Sequence, residues 1–566
     1  MDLKFIQPEQ EAFLRKKHYI RSNETVEDRY YEIVERVRYY ESEGYPEGLA
    51  DRVQRYLFEG ILSPSTPVLA NFGRKKEKGS TPLPVSCNII GVENSIQGIY
   101  GANLEAAMLS KLGAGVGIDF TNVFEEGTQI AEDFFTNPKM DWIEAIIDTT
   151  QKVSQNSVRR GYGVPFINIL DKEFFTLLKR IDKNNPNEFD TMVDNNVGIV
   201  IPTGFMSEML GGNKEYQKRW YELLKTRKKS GQAYILFEEN CNKNQSEVYK
   251  RLGHSVNQTN ICTEALVPYY SDKTFACVLS ALNLVHWDII KRDPQIIKDC
   301  FTFLDIINEE YIWLSKGIVG LDKARRSALE KRDIGLGTLG FHTYLQSKNI
   351  EFGSLECRYL NKEIYKTIQK YCKQATETLA DLLGPAPMCE EAGLNWRNVS
   401  WMMVAPNKST SFICGAVSPG IEAIMSNVFS KNLAGIQYIF KNTHLQEILE
   451  RLGKNNSNVW ESISENLGSV QHLDFLDEQT KKVFKTFSEI SPKDMIDLNA
   501  DRQEFIDMGQ SFNLMFRPNY SMKDIHEIHL YCFNKGVKTL YYAYPQAHAT
   551  IEQDGESWDA CASCAD

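Results

Sequence analysis

Over the first 60 residues charged and apolar positions recur at helical spacing, most clearly through Tyr30-Tyr-Glu-Ile-Val-Glu-Arg-Val-Arg-Tyr-Tyr40, which predicts a short helical packing region over 1–60. Cys87 follows in a short apolar, strand-like segment. Glu93-Asn-Ser95 then reads as the cap of a helix running through Ile96–Leu109. Trp401-Met-Met-Val-Ala405 has the continuous apolar character of a buried strand and runs into Pro406-Asn-Lys-Ser-Thr-Ser411. From about 440 to 505 the chain is charged and mixed, with Leu445–Leu452 plainly amphipathic and no chemistry legible. Lys538-Thr-Leu-Tyr-Tyr542 predicts a short strand, and from Ala543 the residues turn small and polar. This mixture of helix and strand periods is compatible with an α/β fold.

One glycine pattern misleads. Gly335-Leu-Gly-Thr-Leu-Gly340 fits a dinucleotide fingerprint, but that fold needs an apolar strand directly before it. What precedes is Arg325-Arg-Ser-Ala-Leu-Glu-Lys-Arg-Asp333, charged and helical, so the glycines are expected to allow close helix packing instead.

Composition narrows the class. The chain has 566 residues, 42% of them hydrophobic, and a net charge of -11, which argues against a general nucleic-acid binder. No apolar run approaches the roughly 20 residues that span a bilayer, and the N-terminus lacks a basic-then-apolar signal pattern, so a cytoplasmic protein with no membrane contact is expected. Twelve cysteines in such a length are too dilute for a disulfide scaffold and predict free thiols with redox or metal roles for close pairs. A zinc site would need a second pair beside Cys561 and Cys564; His526 and His529 lie in a helical pattern and read as surface or packing residues, so no metal is expected.

Candidate chemistry centres on Asn260-Ile-Cys-Thr-Glu264. In an extended segment Asn260, Cys262 and Glu264 would project from one side, converging an amide, a thiol and a carboxylate on one volume. A buried cysteine is more often packing. Here Cys87, Cys277 in Ala-Cys-Val-Leu-Ser-Ala-Leu-Asn-Leu284, and the closing Cys561-Ala-Ser-Cys564 raise the chemical reading. In Leu62-Ser-Pro-Ser-Thr-Pro67 two prolines fix a turn that presents Ser65 and Thr66. Strand, then a turn of hydroxyls and amides, then a helix start is a physical recipe for holding phosphate, which singles out Asn407, Ser409, Thr410 and Ser411 with Lys408 beside them. Gln155-Asn-Ser-Val-Arg-Arg-Gly-Tyr-Gly163 is a polar loop in which Arg159 can stack on or bond a base. A tail of about 24 residues reaches about 25–30 Å, enough for a dithiol shuttle.

These thiols in their settings resemble the large, catalytic subunit of ribonucleotide reductase, over roughly residues 60–566. The resemblance implies a ten-stranded α/β barrel of two antiparallel five-stranded halves over 61–542, preceded by the helical region 1–60 and followed by a flexible redox tail over 543–566. It implies that Cys262 becomes a thiyl radical, Glu264 serves as general base, Asn260 orients the substrate, and Cys87 with Cys277 supply two electrons. Cys561 and Cys564 would then reduce the resulting disulfide and be restored by thioredoxin or glutaredoxin. Lys-Thr-x-Tyr-Tyr resembles the last strand of class I enzymes, whose stacked tyrosines, here Tyr541 and Tyr542, carry a radical from a metal-containing small subunit. The diphosphate of a ribonucleoside diphosphate would sit on Ser65, Thr66, Asn407, Ser409, Thr410 and Ser411. A homodimer built on the Ile96–Leu109 helix and dNTP or ATP effectors read by Asn94, Gln155 and Arg159 are also implied, with no cofactor held by this chain. Relatives carry an aspartate at Asn94 and an arginine near Phe124, so the effector pattern departs here. Nothing matches the opening of the ATP-cone module of larger relatives, and none is expected.

Rival readings make distinct demands. An adenosylcobalamin-dependent reductase has no use for Tyr541 and Tyr542. A glycyl-radical enzyme needs a C-terminal glycine motif that the chain lacks. A catalytically inactive nucleotide-binding paralogue predicts erosion of the thiol set, which stands whole. A thiol–disulfide oxidoreductase using the tail alone leaves the phosphate candidates unexplained.

Overall fold

The computed structural model describes residues 3, 5–75, 81–85, 87–153, 161–182, 192–193, 195–433 and 436–545. Helices Pro8–Lys16, Val26–Ser42 and Leu49–Phe58 open the chain. The second begins at a reciprocal cap: Thr25 Oγ1 accepts from Asp28 N at 3.0 Å, and Asp28 Oδ2 accepts from Thr25 N at 3.0 Å. Its buried stripe, Val26, Tyr30, Ile33, Val34, Val37 and Tyr40, follows the helical period. That stripe and the Leu49–Phe58 helix pack on Gln295–Leu314, a helix buried along most of its length. Charged side chains stitch the two layers: Arg52 Nε meets Asp299 Oδ2 at 2.7 Å and Arg36 pairs with Glu310.

Behind the helices lies an α/β body. A seven-stranded sheet runs in the order Phe275–Ala276, Cys87–Gly91, Gly115–Asp119, Tyr162–Asn168, Gly198–Ile201, Tyr234–Phe237 and Thr539–Leu540. The five inner strands are parallel and the two outer ones antiparallel to their neighbours. Helices Ile96–Lys111 and Lys139–Lys152 make crossovers between successive parallel strands, and the strands are apolar almost without interruption because both faces are covered. The sheet curls into a partly open half-barrel. A second sheet of three strands joins Leu62–Pro64, Leu279–Asn283 and Gly335–Leu339, the last two parallel.

Hydrogen bonds extend both sheets through residues outside regular strands. Leu336 N donates to Trp401 O at 2.9 Å, Val404 N to Gly509 O at 3.2 Å, and Tyr541 N to Phe512 O at 2.8 Å. Cys277 N donates to Cys87 O at 2.9 Å, so the segment joining the edge strand Phe275–Ala276 to Leu279–Asn283 stays bonded to the large sheet.

The glycine-rich stretch at 335–340 corrects an expectation. Gly335–Leu339 is itself a buried strand, and a Cβ on Gly337 would lie 2.6 Å from Met403 O. The glycines admit the neighbouring 401–404 backbone rather than a helix, because a segment that close leaves no room for a side chain; the strand expected over 401–405 is an extended segment with a single bridge at Val404. Gly340, at φ +80, turns the chain into helix Phe341–Ser347.

Residues 443–484 form a satellite cluster around Leu445, Leu449, Trp460, Ile463 and Phe484. Among the described residues no helix is long and apolar enough to cross a membrane.

Candidate active site

Strands Val256–Thr259 and Leu266–Pro268 form an antiparallel hairpin whose tip, 260–265, carries the central motif. The expectation of an extended segment is overturned. Thr263 N donates to Asn260 O at 3.1 Å and Thr263 sits at φ +66, so the tip is a tight turn. Alternation of side chains holds for paired strand residues, and these are unpaired. Convergence is achieved by the turn instead. Asn260 Oδ1 accepts from Ala265 N at 3.0 Å, while Asn260 Nδ2 donates to Glu264 Oε1 at 2.8 Å and to Cys87 Sγ at 3.2 Å.

The tip is clamped from both sides. A Cβ on Gly117, in the large sheet, would lie 2.6 Å from Thr259 O, so only glycine admits the hairpin there. From the other side three successive carbonyls of the tip find donors late in the chain. Ser511 Oγ lies 2.6 Å from Cys262 O, Thr539 Oγ1 2.8 Å from Thr263 O, and Gly509 N 2.7 Å from Glu264 O. Buried carbonyls left without donors would be costly, so these bonds fix the turn.

The thiols meet here. Cys262 and Cys277 are buried, Cys87 is half-buried, and all three are free thiols. Burial pushes the Cys277 thiol well up, and a hydrogen bond with Cys87 adds to the effect. Glu264 is buried with its second oxygen 3.0 Å from Ser511 Oγ. Burial raises its carboxyl above the ordinary range, against the donors Asn260 and Ser511 that favour the charge. A carboxyl raised in this way holds a proton more readily than a free one, which suits a group that takes and returns a proton.

Tyr541 Oη stands 3.9 Å from Cys262 Sγ. The rings of Tyr541 and Tyr542 have centroids 4.4 Å apart but planes at 58°, tilted rather than stacked as expected, because Tyr234 wedges against both at 4.7 and 5.2 Å. The stacked pair is Tyr542 with Tyr544, at 5.8 Å and 20°. Tyr544 Oη accepts from Lys408 Nζ at 2.8 Å, and Tyr542 Oη accepts from Asn196 Nδ2 at 2.9 Å. Sequence reasoning missed Tyr234, Tyr544, Asn196, Ser511 and Thr539. Tyr544 alone carried a signal, lying two positions beyond Tyr542, the spacing that puts two side chains on one side of an extended segment.

Among the phosphate candidates, Thr66 is buried with Oγ1 lacking a protein partner. Ser65 occupies the N-cap position of helix Thr66–Asn71 without a side-chain cap bond. Asn407, at φ +50, precedes helix Lys408–Ile413 and donates to Thr338 O at 3.1 Å; Ser409, Thr410 and Ser411 are buried in that helix's first turns. The helix packs against strand Leu62–Pro64, which brings the two hydroxyl-bearing turns together. Away from this centre, Asn94 Oδ1 accepts from Phe124 N at 3.0 Å beneath helix Ile96–Lys111, whose Ile96, Tyr100 and Leu104 are exposed. Gln155, Arg159, Cys561 and Cys564 lie outside the described residues. His529 is a packing residue, accepting from Arg227 Nε at 3.1 Å, and among the described residues no group of His, Cys, Asp and Glu is arranged to hold a metal.

The profile "Ribonucleotide reductase, barrel domain" matches residues 85–217, 211–395 and 388–543. The chain is 28% identical over 600 residues to the ribonucleoside-diphosphate reductase large subunit of Invertebrate iridescent virus 3, covering 92% of each chain. It is 28% identical over 548 residues to the putative large subunit of Frog virus 3, covering 92% of this chain and 93% of that one. Among solved structures, the class Id ribonucleotide reductase alpha subunit of Actinobacillus ureae superposes with a TM-score of 0.87 at 32% identity, over 96% of this chain and 98% of that one. The chain belongs to the ribonucleotide reductase family. Within it, its place is that of a class I large, catalytic subunit.

Proposed function

We propose that this chain reduces ribonucleoside diphosphates to 2′-deoxyribonucleotides by thiyl-radical chemistry with the residues assembled at the hairpin tip. The observation that carries this is Tyr541 Oη at 3.9 Å from Cys262 Sγ, with Tyr542 in ring contact behind it. An oxidising equivalent from a metal-containing small subunit passes along Tyr542 and Tyr541 to Cys262. The Cys262 thiyl takes the hydrogen atom from C3′. Glu264 takes the 3′-hydroxyl proton as the 2′-hydroxyl departs as water, protonated from the Cys87–Cys277 pair. That pair gives two electrons and closes to a disulfide, its second hydrogen going to C2′; Glu264 returns its proton to the 3′ oxygen, and Cys262 returns hydrogen to C3′. Asn260 orients the 3′-hydroxyl against Glu264, the carboxylate it already holds at 2.8 Å.

Ser65, Thr66, Asn407, Ser409, Thr410 and Ser411 hold the diphosphate, and the unpartnered Thr66 Oγ1 supports a ligand there. Cys561 and Cys564 reopen the disulfide by thiol–disulfide exchange and are restored by thioredoxin or glutaredoxin. Asn94, Gln155 and Arg159 read dNTP or ATP effectors at a homodimer interface on helix Ile96–Lys111, whose exposed apolar residues support such a contact. The two sheets form one ten-stranded barrel; supporting this are the bonds Leu336 to Trp401, Val404 to Gly509, Tyr541 to Phe512 and Cys277 to Cys87, which supply the missing neighbours.

The test is CDP reduction by the purified chain with dithiothreitol and an effector. Activity is expected with its small subunit and not with adenosylcobalamin alone. Turnover with adenosylcobalamin alone would reduce Tyr541 and Tyr542 to packing.

A further inference from the structure

Ser511 carries one hydroxyl hydrogen and faces two acceptors. Its Oγ lies 2.6 Å from Cys262 O and 3.0 Å from Glu264 Oε2. A hydroxyl can donate only once, so the hydrogen serves one of them at a time. The partner arrangement decides which. Asn260 Nδ2 already donates to Glu264 Oε1 at 2.8 Å, leaving Oε2 to Ser511.

With Glu264 ionised, both its oxygens are acceptors. Ser511 must then turn its hydrogen to Oε2, and Cys262 O loses that donor. With a proton on Oε2, the carboxylic acid donates to Ser511 Oγ, and the Ser511 hydrogen is released to Cys262 O. Nothing is oxidised or reduced in this exchange; one proton arrives at Glu264 and one hydrogen bond changes its acceptor. The shorter contact to Cys262 O is the one the second arrangement strengthens.

We propose that Ser511 is a positioning residue that hands the protonation state of Glu264 to the main chain of Cys262. This rests on the reading of Glu264 as base and Cys262 as radical site. As Glu264 takes the substrate proton, the peptide bearing Cys262 gains a donor and is held while the radical sits on substrate. When Glu264 gives the proton back, that hold is released. The other titratable groups near Glu264 are the thiols, with the Tyr541 phenol beyond them. Cys87 shares Asn260 Nδ2 with it, Cys277 lies within reach of its charge, and Tyr541 faces Cys262.

Infrared titration of the purified chain tests this without turnover. The carboxylic C=O band of Glu264 is identified by its loss in Glu264→Gln. In Ser511→Ala the ionised form loses the stronger, charge-assisted bond, so the band is expected to persist about one pH unit higher, a tenfold shift in the ionised fraction. Ser511→Thr, which keeps the hydroxyl, is expected to titrate as the parent. With 13C=O-labelled cysteine, the Cys262 carbonyl band, assigned by Cys262→Ser, is expected to shift with the same midpoint in the parent and to stay still in Ser511→Ala. An unmoved Glu264 midpoint in Ser511→Ala, or a Cys262 band that ignores pH in the parent, overturns the proposal. Should Ser511→Ala not fold, Ser511→Cys carries the same comparison, its weak thiol donor giving a smaller upward shift, and no shift overturns it. Full turnover by Glu264→Gln would instead sink the base reading and leave the infrared result standing.

Discussion

Asn260 is the residue whose replacement separates building the turn from running the chemistry. Its Oδ1 satisfies Ala265 N at 3.0 Å, and its Nδ2 serves Glu264 at 2.8 Å and Cys87 at 3.2 Å. Asn260→Ala orphans a buried backbone N–H, at a cost of about 1–3 kcal/mol, and removes from Glu264 a bond to charge worth about 1.5–3 kcal/mol. The second loss moves the Glu264 midpoint upward by roughly 1–2 pH units. Asn260→Asp keeps the oxygen that Ala265 needs but sets a second carboxylate against Glu264, and like charges at that distance resist joint ionisation. The expected pattern is therefore split. Denaturant unfolding should find Asn260→Ala destabilised and Asn260→Asp close to the parent at a pH where one carboxyl is protonated. Turnover should be lost in both, with the acid limb of kcat displaced upward in whatever activity remains. An Asn260→Asp variant with parental turnover at neutral pH would refute the claim that the amide's donors, and not merely the turn, serve the site.

Tyr541→Phe removes the phenol facing Cys262 and should abolish turnover while leaving nucleotide affinity unchanged; residual turnover above a few per cent would take Tyr541 out of the radical route. Glu264→Gln should be more stable than the parent, and increasingly so as pH rises. The reason is that the folded carboxyl titrates above its ordinary 4.5, so its favourable neutral form is lost between that value and the folded midpoint. Chemical unfolding at several pH values checks this, and a stability gap that narrows with rising pH contradicts it. Gly117→Ala should cost about 1–3 kcal/mol and most turnover, because its Cβ would meet the Thr259 carbonyl, a backbone atom, at 2.6 Å. Parental activity in that variant would mean the hairpin rests on something other than this strand.

How much of this was legible beforehand follows from which signals are local. Cys87, Asn260, Cys262, Glu264 and Cys277 stood out because each sits in a distinctive short setting, and the hydroxyl turns at 65–66 and 407–411 because proline, asparagine and serine punctuate them. What the sequence hid is set by distant partners. The turn at 260–265 is imposed by Ser511, Thr539 and Gly509, and no window around Cys262 contains them. The glycines at 335 and 337 read as helix-packing residues because the extended 401–404 segment that needs them lies elsewhere in the chain. The tilt of Tyr541 on Tyr542 likewise depends on Tyr234, from the neighbouring strand Tyr234–Phe237, far earlier in the chain.

The three carbonyls of the hairpin tip have a bearing on how this protein is made. Their donors at 509, 511 and 539 leave the ribosome well after Cys262 itself. Synthesis runs from the N-terminus and domains fold as they emerge, yet this turn receives the last of its three distant donors only once residue 539 is out. A nascent or truncated chain that stops before residue 509 therefore carries Cys262 in a turn held only by its local Asn260 bonds, without the three distant donors that fix it. On the proposed radical route, a chain that stops short of residue 541 also lacks the phenol that stands 3.9 Å from Cys262 Sγ, so it has no means of receiving a radical it cannot contain.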